Sequence, residues 1–382
     1  LDCSSLMVAG GNERVRVHLH VNDPGEVYLA CEQFGELHQQ KADDMQRQHT
    51  LMNQAGHVAI VTDSGADIPF EEQERLGIHM VSARLNFGAT EYIDHVSLQP
   101  EDLYRMLQER EESPKTSQPP IGDFARQYDL LTAHDYQVMS VGLSEALSGT
   151  TQAARTAADR YEGQVRVFDT MSASCGEGVL AVIAAEAAQM GMDLDQIEAL
   201  LKEYMPQTRV IAIADDLAYF TRGGRLPGWV KSAADFLRVN PLVTAKDGSF
   251  GLAGLATGKG AKPASLGKAA LRRMQKDTTY RILISHGDNL EGALKLRRYI
   301  LQRHSRVHSC HITMAGPALG VHLGPGGLVI GFLICFGAVL IDRSGLGEKR
   351  VSGLRWWTGG CCGSRGGLVG ECSGGSIGGG GG

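Results

Sequence analysis

Four separated stretches of the chain gather hydrogen-bond donors in short, turn-rich settings. They are Thr116-Ser117-Gln118-Pro119-Pro120, Ser144-Glu145-Ala146-Leu147-Ser148-Gly149-Thr150, Arg222-Gly223-Gly224-Arg225 and the run from Gly316 to Gly327 that carries His322. Hydroxyls and an imidazole donate hydrogen bonds to an anion, and a guanidinium matches a carboxylate with two parallel bonds. Together they suit a carboxylate. The last run holds its histidine among five glycines and two prolines. Such a backbone bends sharply or approaches a ligand closely, so it reads as an anion-gripping loop rather than an ordinary helix or strand.

Each group also has a plainer reading. Thr116 and Ser117 can order a turn before proline, and Ser148 is placed to be the N-cap of the helix that follows. Arg225, after two glycines and before Leu226-Pro227, suits a buried ion pair as well as a ligand. A hydrolase with Ser148 or Ser64 as nucleophile and His322 as base is the rival reading of the same residues. No Gly-x-Ser-x-Gly elbow supports it.

The surrounding elements follow from periodicity. Val15 to Val21 alternates with period two and is followed by Asn22-Asp23-Pro24-Gly25, which predicts a half-buried strand, a turn and then a helix over about 26–34. From His57 the rhythm becomes β–α. Strands are expected at 58–62, 78–82, 137–141, 165–168 and 209–214, with a hairpin near 84–90 and a helix opened by Pro100-Glu101-Asp102. A second cluster has a hairpin around Asp247-Gly248, helices over 263–276 and 290–304, and strands at 281–286 and 311–314. Strands apolar on both faces and alternating with helices predict an α/β fold with a parallel or mixed sheet. Ligands in such folds sit at the carboxyl ends of the strands.

Composition narrows the partners. With 37 Lys and Arg against 43 Asp and Glu, the net charge of −6 gives no basic footprint for nucleic acid. Eight scattered cysteines without Cys-x-x-Cys pairs fit reduced thiols and a cytoplasmic setting. The apolar run 328–341 has fourteen residues, short of the ~20 that span a bilayer, so no stable membrane span is expected. The histidines His18, His20, His304, His308 and His311 lack a recognisable ligand spacing, so neither metal nor cofactor is expected. Gly254 to Gly260 departs from a phosphate loop, because it lacks a Ser or Thr after Lys259. Leu1 follows no basic and apolar leader and reads as an internal cut. Residues 334–382, rich in glycine, read as a disordered tail.

Five motifs in order carry a family resemblance: Asp63-Ser64-Gly65-Ala66-Asp67, Thr116-Ser117-Gln118-Pro119, Leu147-Ser148-Gly149-Thr150, Gly223-Gly224-Arg225 and Gly324-Pro325-Gly326. Over residues 57–333 the chain resembles the DegV family. The resemblance implies a two-domain α/β lipid binder, divided here at about 57–215 and 216–333, with a long-chain fatty acid in an apolar tunnel between the parts. It implies that Thr116, Ser144, Arg225 and His322 hold the carboxylate, with Ser117 beside them and Asp63, Ser64, Ser148, Gly149, Thr150 and Gly324 in support. Many relatives carry two serines where this chain has Ser144-Glu145, and an added carboxylate there must point away from a bound acid.

Residues 1–50 resemble a different group, the last part of the dihydroxyacetone-kinase-like proteins that serve as kinase subunits. The strand Val17-His18-Leu19-His20 and the exit Asp44-Met45-Gln46-Arg47-Gln48 carry that likeness. It implies a fusion of kinase-like protein and lipid carrier, with a dihydroxyacetone-kinase-like subunit or domain as partner and no kinase activity in this chain alone. Burying a fifteen-carbon tail at ~0.8 kcal/mol per CH₂ is worth on the order of 10 kcal/mol, enough for tight binding after association costs.

Overall fold

Apolar runs bounded by turn residues become strands in this protein because helices cover both of their faces. A computed structural model describes residues 3–11, 14–38, 40–42, 45, 58–110, 112–224, 240–256 and 262–335. All lie in one unit, Leu1–Leu340, while 341–382 form another outside the described residues. The expectation of a disordered tail therefore falls almost wholly outside them.

The first sheet is parallel. It contains β3 (Val58–Asp63), β4 (His79–Val81), β8 (Gln137–Gly142) and β9 (Val165–Asp169) in the order β4-β3-β8-β9. A small antiparallel sheet of β5 (Arg84–Phe87), β6 (Thr90–Ile93) and β7 (Lys115–Ser117) has the order β6-β5-β7. The third is mixed, with β10 (Arg209–Ile213), β11 (Asn240–Lys246), β12 (Ser249–Ala256), β13 (Tyr280–His286), β14 (Val307–Met314) and β15 (Leu328–Ile334) in the order β12-β11-β10-β15-β13-β14. Only β13 and β14 pair in parallel within it. A ribbon of β1 (Cys3–Gly10) and β2 (Val15–Val21) precedes them.

Helices are α1 (Pro24–Glu32), α2 (Phe70–Leu76), α3 (Pro100–Glu109), α4 (Ile121–Thr132), α5 (Thr150–Ala158), α6 (Cys175–Gln189), α7 (Leu194–Tyr204), α8 (Ala218–Arg222), α9 (Lys262–Leu271), α10 (Leu290–Leu301) and α11 (Pro317–Leu323). Helix α6 is apolar around its whole circumference because it packs on the parallel sheet through β3 and β8 and on the mixed sheet through β13 and β15. The mixed sheet is apolar on both faces by simple alternation. Val210 and Ala212 join the core that contains α6, while Ile211 and Ile213 join the core under α9 and α10.

Three differences from the sequence expectations have physical reasons. Strand β10, which a division at 215 assigns to the first part, is hydrogen-bonded in the mixed sheet. A strand apolar on both faces carries no local sign of which sheet it joins. Strand β2 is mostly exposed rather than half-buried, since the ribbon's described contacts leave its aliphatic face open.

The Gly316–Gly327 run contains a helix, α11, against the loop expectation. Pro317 sits in the first turn, where its missing N–H costs nothing. Gly320 is a close-approach residue: a Cβ there would lie 2.5 Å from Leu103 Cδ2 and 2.8 Å from the Tyr104 hydroxyl. Gly324 then ends the helix at φ 71°, a backbone that other residues rarely adopt.

Candidate functional site

A cavity of about 1000 Å³, its open mouth included, is lined from both α/β sheets. The mixed sheet supplies an apolar wall of Val210, Ala212, Val243, Ala245, Phe250 and Val329. These residues line it because strand side chains alternate, which sends one aliphatic set from each strand to the same face. Phe220 from α8 meets Phe250 edge to face at 5.9 Å between centroids. The opposite wall is polar, with Asp63, Asp67, Thr116, Ser117, Gln118, Ser148, Thr150, Ser174 and His322.

The polar wall is built by long-range pairing. Thr116 stands on β7, opposite Leu85 of β5. His322 stands in the last turn of α11, whose Ala318, Leu319 and Leu323 also face the cavity. Their side chains meet, with Thr116 Oγ1 3.0 Å from His322 Nε2. Both are half-buried.

The remaining candidates are placed differently. The Ser144 hydroxyl is buried and donates to the Gly248 carbonyl at 2.7 Å, joining the loop after β8 to the β11–β12 hairpin. It is not among the residues lining the cavity. Glu145 is exposed and paired with Arg155 at 2.6 Å, so its charge points away from the polar wall. Ser148 is not the N-cap of α5, since Gly149 occupies that position. It stands one residue earlier, where its Oγ accepts the Thr150 N–H at 3.3 Å and lies 2.8 Å from Thr150 Oγ1. The Gln118 side chain lies against Gly149. Gly324 packs on the Tyr219 ring. Arg225 lies outside the described residues.

The Ser64 hydroxyl, 1% exposed, accepts the Ala83 N–H at 3.0 Å. The bonds that occupy Ser64 and Ser148 are therefore those of loop and helix-start geometry, which gives the hydrolase reading no support. Among the described residues no group of three or more His, Cys, Asp or Glu could hold a metal ion, and no helix is long and apolar enough to cross a membrane.

Buried acids surround the polar wall. Burial pushes the Asp67 carboxyl up from 3.8 to about 6, against the hydrogen bonds from Ser174 and the Gly316 N–H. Burial also raises Asp63, and it raises Glu177 well above the usual carboxylate range. Glu177 accepts from Thr62 Oγ1 at 3.2 Å. Sequence reasoning missed both Asp67 and Glu177 as parts of the site. The signal for Glu177 was available, as it is the one charged residue between Cys175 and Ala185 in an otherwise apolar run.

Comparisons with known proteins agree with this geometry. A family model described as uncharacterised protein, DegV family, matches residues 57–334. A second, describing the middle domain of proteins like the first subunit of fatty acid kinase, matches residues 3–52. A DegV domain-containing protein of Halalkalibacterium halodurans is 30% identical over 280 residues, covering 72% of this chain and 98% of the relative. A solved structure described as fatty acid binding of a DegV family protein from Thermus thermophilus superimposes with TM-score 0.68 at 28% identity, covering 73% of this chain and all of that one. The DegV of Bacillus subtilis, described as a fatty acid binding protein, gives TM-score 0.65 at 27% identity over 74% of this chain and all of that one.

Proposed function

The chain belongs to the DegV family, and from that premise we propose that it binds a long-chain fatty acid, with the acyl tail along the apolar sheet wall and the carboxylate on Thr116 and His322. The observation that carries the reading is the division of one cavity into an aliphatic wall and a donor-bearing wall, with Thr116 and His322 already 3.0 Å apart. A single carboxylate reaches both groups. Ser117 stands at the exposed edge, and Arg225 follows the short helix α8 as the residue that would complete the set with a guanidinium. Ser144 joins the set only if its hydroxyl leaves Gly248.

The protein on this reading is a carrier and not an enzyme. The match of residues 3–52 to a domain of kinase-like proteins supports a second step, in which the bound acid is presented to a kinase-like chain. There the γ-phosphoryl of ATP would pass to a carboxylate oxygen, giving the acyl phosphate and ADP. The β1–β2 ribbon supports the same partner. Leu6, Val8 and Val15 are each more than half exposed, and Val8 pairs with Val17 on one aliphatic face. A two-stranded ribbon with an open aliphatic face is marginal by itself. Reduced thiols at the described cysteines suit a cytoplasmic setting for that exchange.

Native mass spectrometry of protein purified from a bacterial host, with lipid extraction, tests the carrier step. A co-purified C16–C18 acid, or stoichiometric uptake of added palmitate, is expected. Recovery of neither overturns the reading. For the second step, palmitate-loaded protein mixed with ATP and the purified catalytic protein of a bacterial fatty acid kinase should yield an acyl phosphate trapped by hydroxylamine.

A further inference from the structure

The turn Asp63-Ser64-Gly65-Ala66-Asp67 lies at the carboxyl end of β3, and each of its three polar side chains accepts a backbone N–H from a different distant segment. Asp63 Oδ2 accepts from Leu143 at 3.0 Å, 80 residues away. Ser64 Oγ accepts from Ala83 at 3.0 Å, and Asp67 Oδ1 accepts from Gly316 at 3.0 Å across 249 residues. Each acceptor is at most 5% exposed.

The three donors stand where the polar wall is built. Leu143 lines the cavity and opens the loop of Ser144 and Ser148. Ala83 immediately precedes β5, the strand on which β7 and Thr116 are registered. Gly316 immediately precedes α11, whose last turn carries His322.

The remaining lone pairs are also directed. Asp63 Oδ1 accepts from Gly65 at 2.9 Å, and Asp67 Oδ2 accepts from the Ser174 hydroxyl at 2.6 Å. Carboxylates that line an acid-binding cavity would repel the ligand unless their oxygens were engaged elsewhere, and here they are. Asp67 is held in the left-handed region at φ 46°, a conformation that Asp tolerates better than most residues.

We propose that this five-residue turn is the positioning element of the head-group site, setting the Ser144–Ser148 loop, the Thr116 strand and the His322 helix in register from one point. The inference rests on the fatty-acid reading. It assigns Asp63, Ser64 and Asp67 no contact with the carboxylate. They act through the N–H groups they hold, so their loss misplaces donors that must lie within about 0.5 Å of their working positions.

Palmitate and hexadecanol, an acid and a neutral alcohol of equal chain length, are the probes. In the wild type palmitate binds more tightly. Ser64→Ala and Asp67→Ala are expected to lower the palmitate-to-hexadecanol affinity ratio about tenfold, or roughly 1.4 kcal/mol, while hexadecanol affinity stays within about twofold. Asp67→Asn, of nearly unchanged shape, serves if Asp67→Ala does not fold. Asp193→Ala removes the N-terminal cap of α7, remote from the cavity, and is the control for lost stability without lost positioning. An unchanged ratio in the turn variants, or equal loss of both probes in step with Tm, overturns the proposal. Wild-type protein that binds neither probe overturns the fatty-acid reading first, and the two failures are told apart by which protein shows them.

Discussion

Thr116 Oγ1 and His322 Nε2 lie 3.0 Å apart although 206 residues separate them in sequence. The register of β7 on β5 sets one partner and helix α11 sets the other. A carboxylate entering between them exchanges one neutral hydrogen bond for two charge-assisted ones. Thr116→Val and His322→Gln should each weaken palmitate binding about tenfold, the ordinary value of one hydrogen bond to a charged group. Isothermal titration checks this, with circular dichroism showing the fold retained.

Ser144 gives a sharper discrimination. Its hydroxyl donates to Gly248, so Ser144→Ala leaves a buried carbonyl without that donor and should cost about 1–3 kcal/mol of stability in urea unfolding. The palmitate-to-hexadecanol ratio should change little. A fall in that ratio with stability intact would instead put the hydroxyl on the ligand.

Asp67 makes stability depend on pH in a calculable direction. Its folded carboxyl holds a proton up to about 6, against 3.8 as its ordinary value, because burial penalises the charge. The contribution to stability is full below the unfolded value and is lost as pH rises through the folded one. Wild-type stability relative to Asp67→Asn should therefore fall by about 3 kcal/mol between about pH 4 and pH 7, then level off. Urea midpoints at four or five pH values measure it, and a flat or rising difference contradicts it.

Gly320 tests the packing that turns a glycine-rich run into a helix. A methyl group there meets Leu103 and Tyr104 at less than 3 Å, so Gly320→Ala should destabilise the fold by about 1–3 kcal/mol, outweighing the helix propensity of alanine. Equal or higher Tm in the variant would show that α3 yields to it.

Much of the fold was legible because strands such as Val58–Asp63 and Tyr280–His286 are apolar runs bounded by turn residues, and because Pro100 and Asp247-Gly248 mark a helix start and a hairpin in local chemistry. Helix α11 was not, since what permits its Gly320 is a neighbour more than 200 residues distant. For the same reason Ser144 read as a ligand while its bond to Gly248, across 104 residues, could not be seen. Local spacing reports which groups are available. Register between distant strands decides which of them face the same space.

The most direct test of the central claim uses palmitate labelled with ¹³C at its carboxyl carbon and observed by NMR in complex with the protein. A single bound carboxyl resonance, shifted from that of free palmitate and moved again by both Thr116→Val and His322→Gln, is the predicted result. A carboxyl resonance identical to free palmitate, or a bound one indifferent to both substitutions, would contradict a head group held between Thr116 and His322.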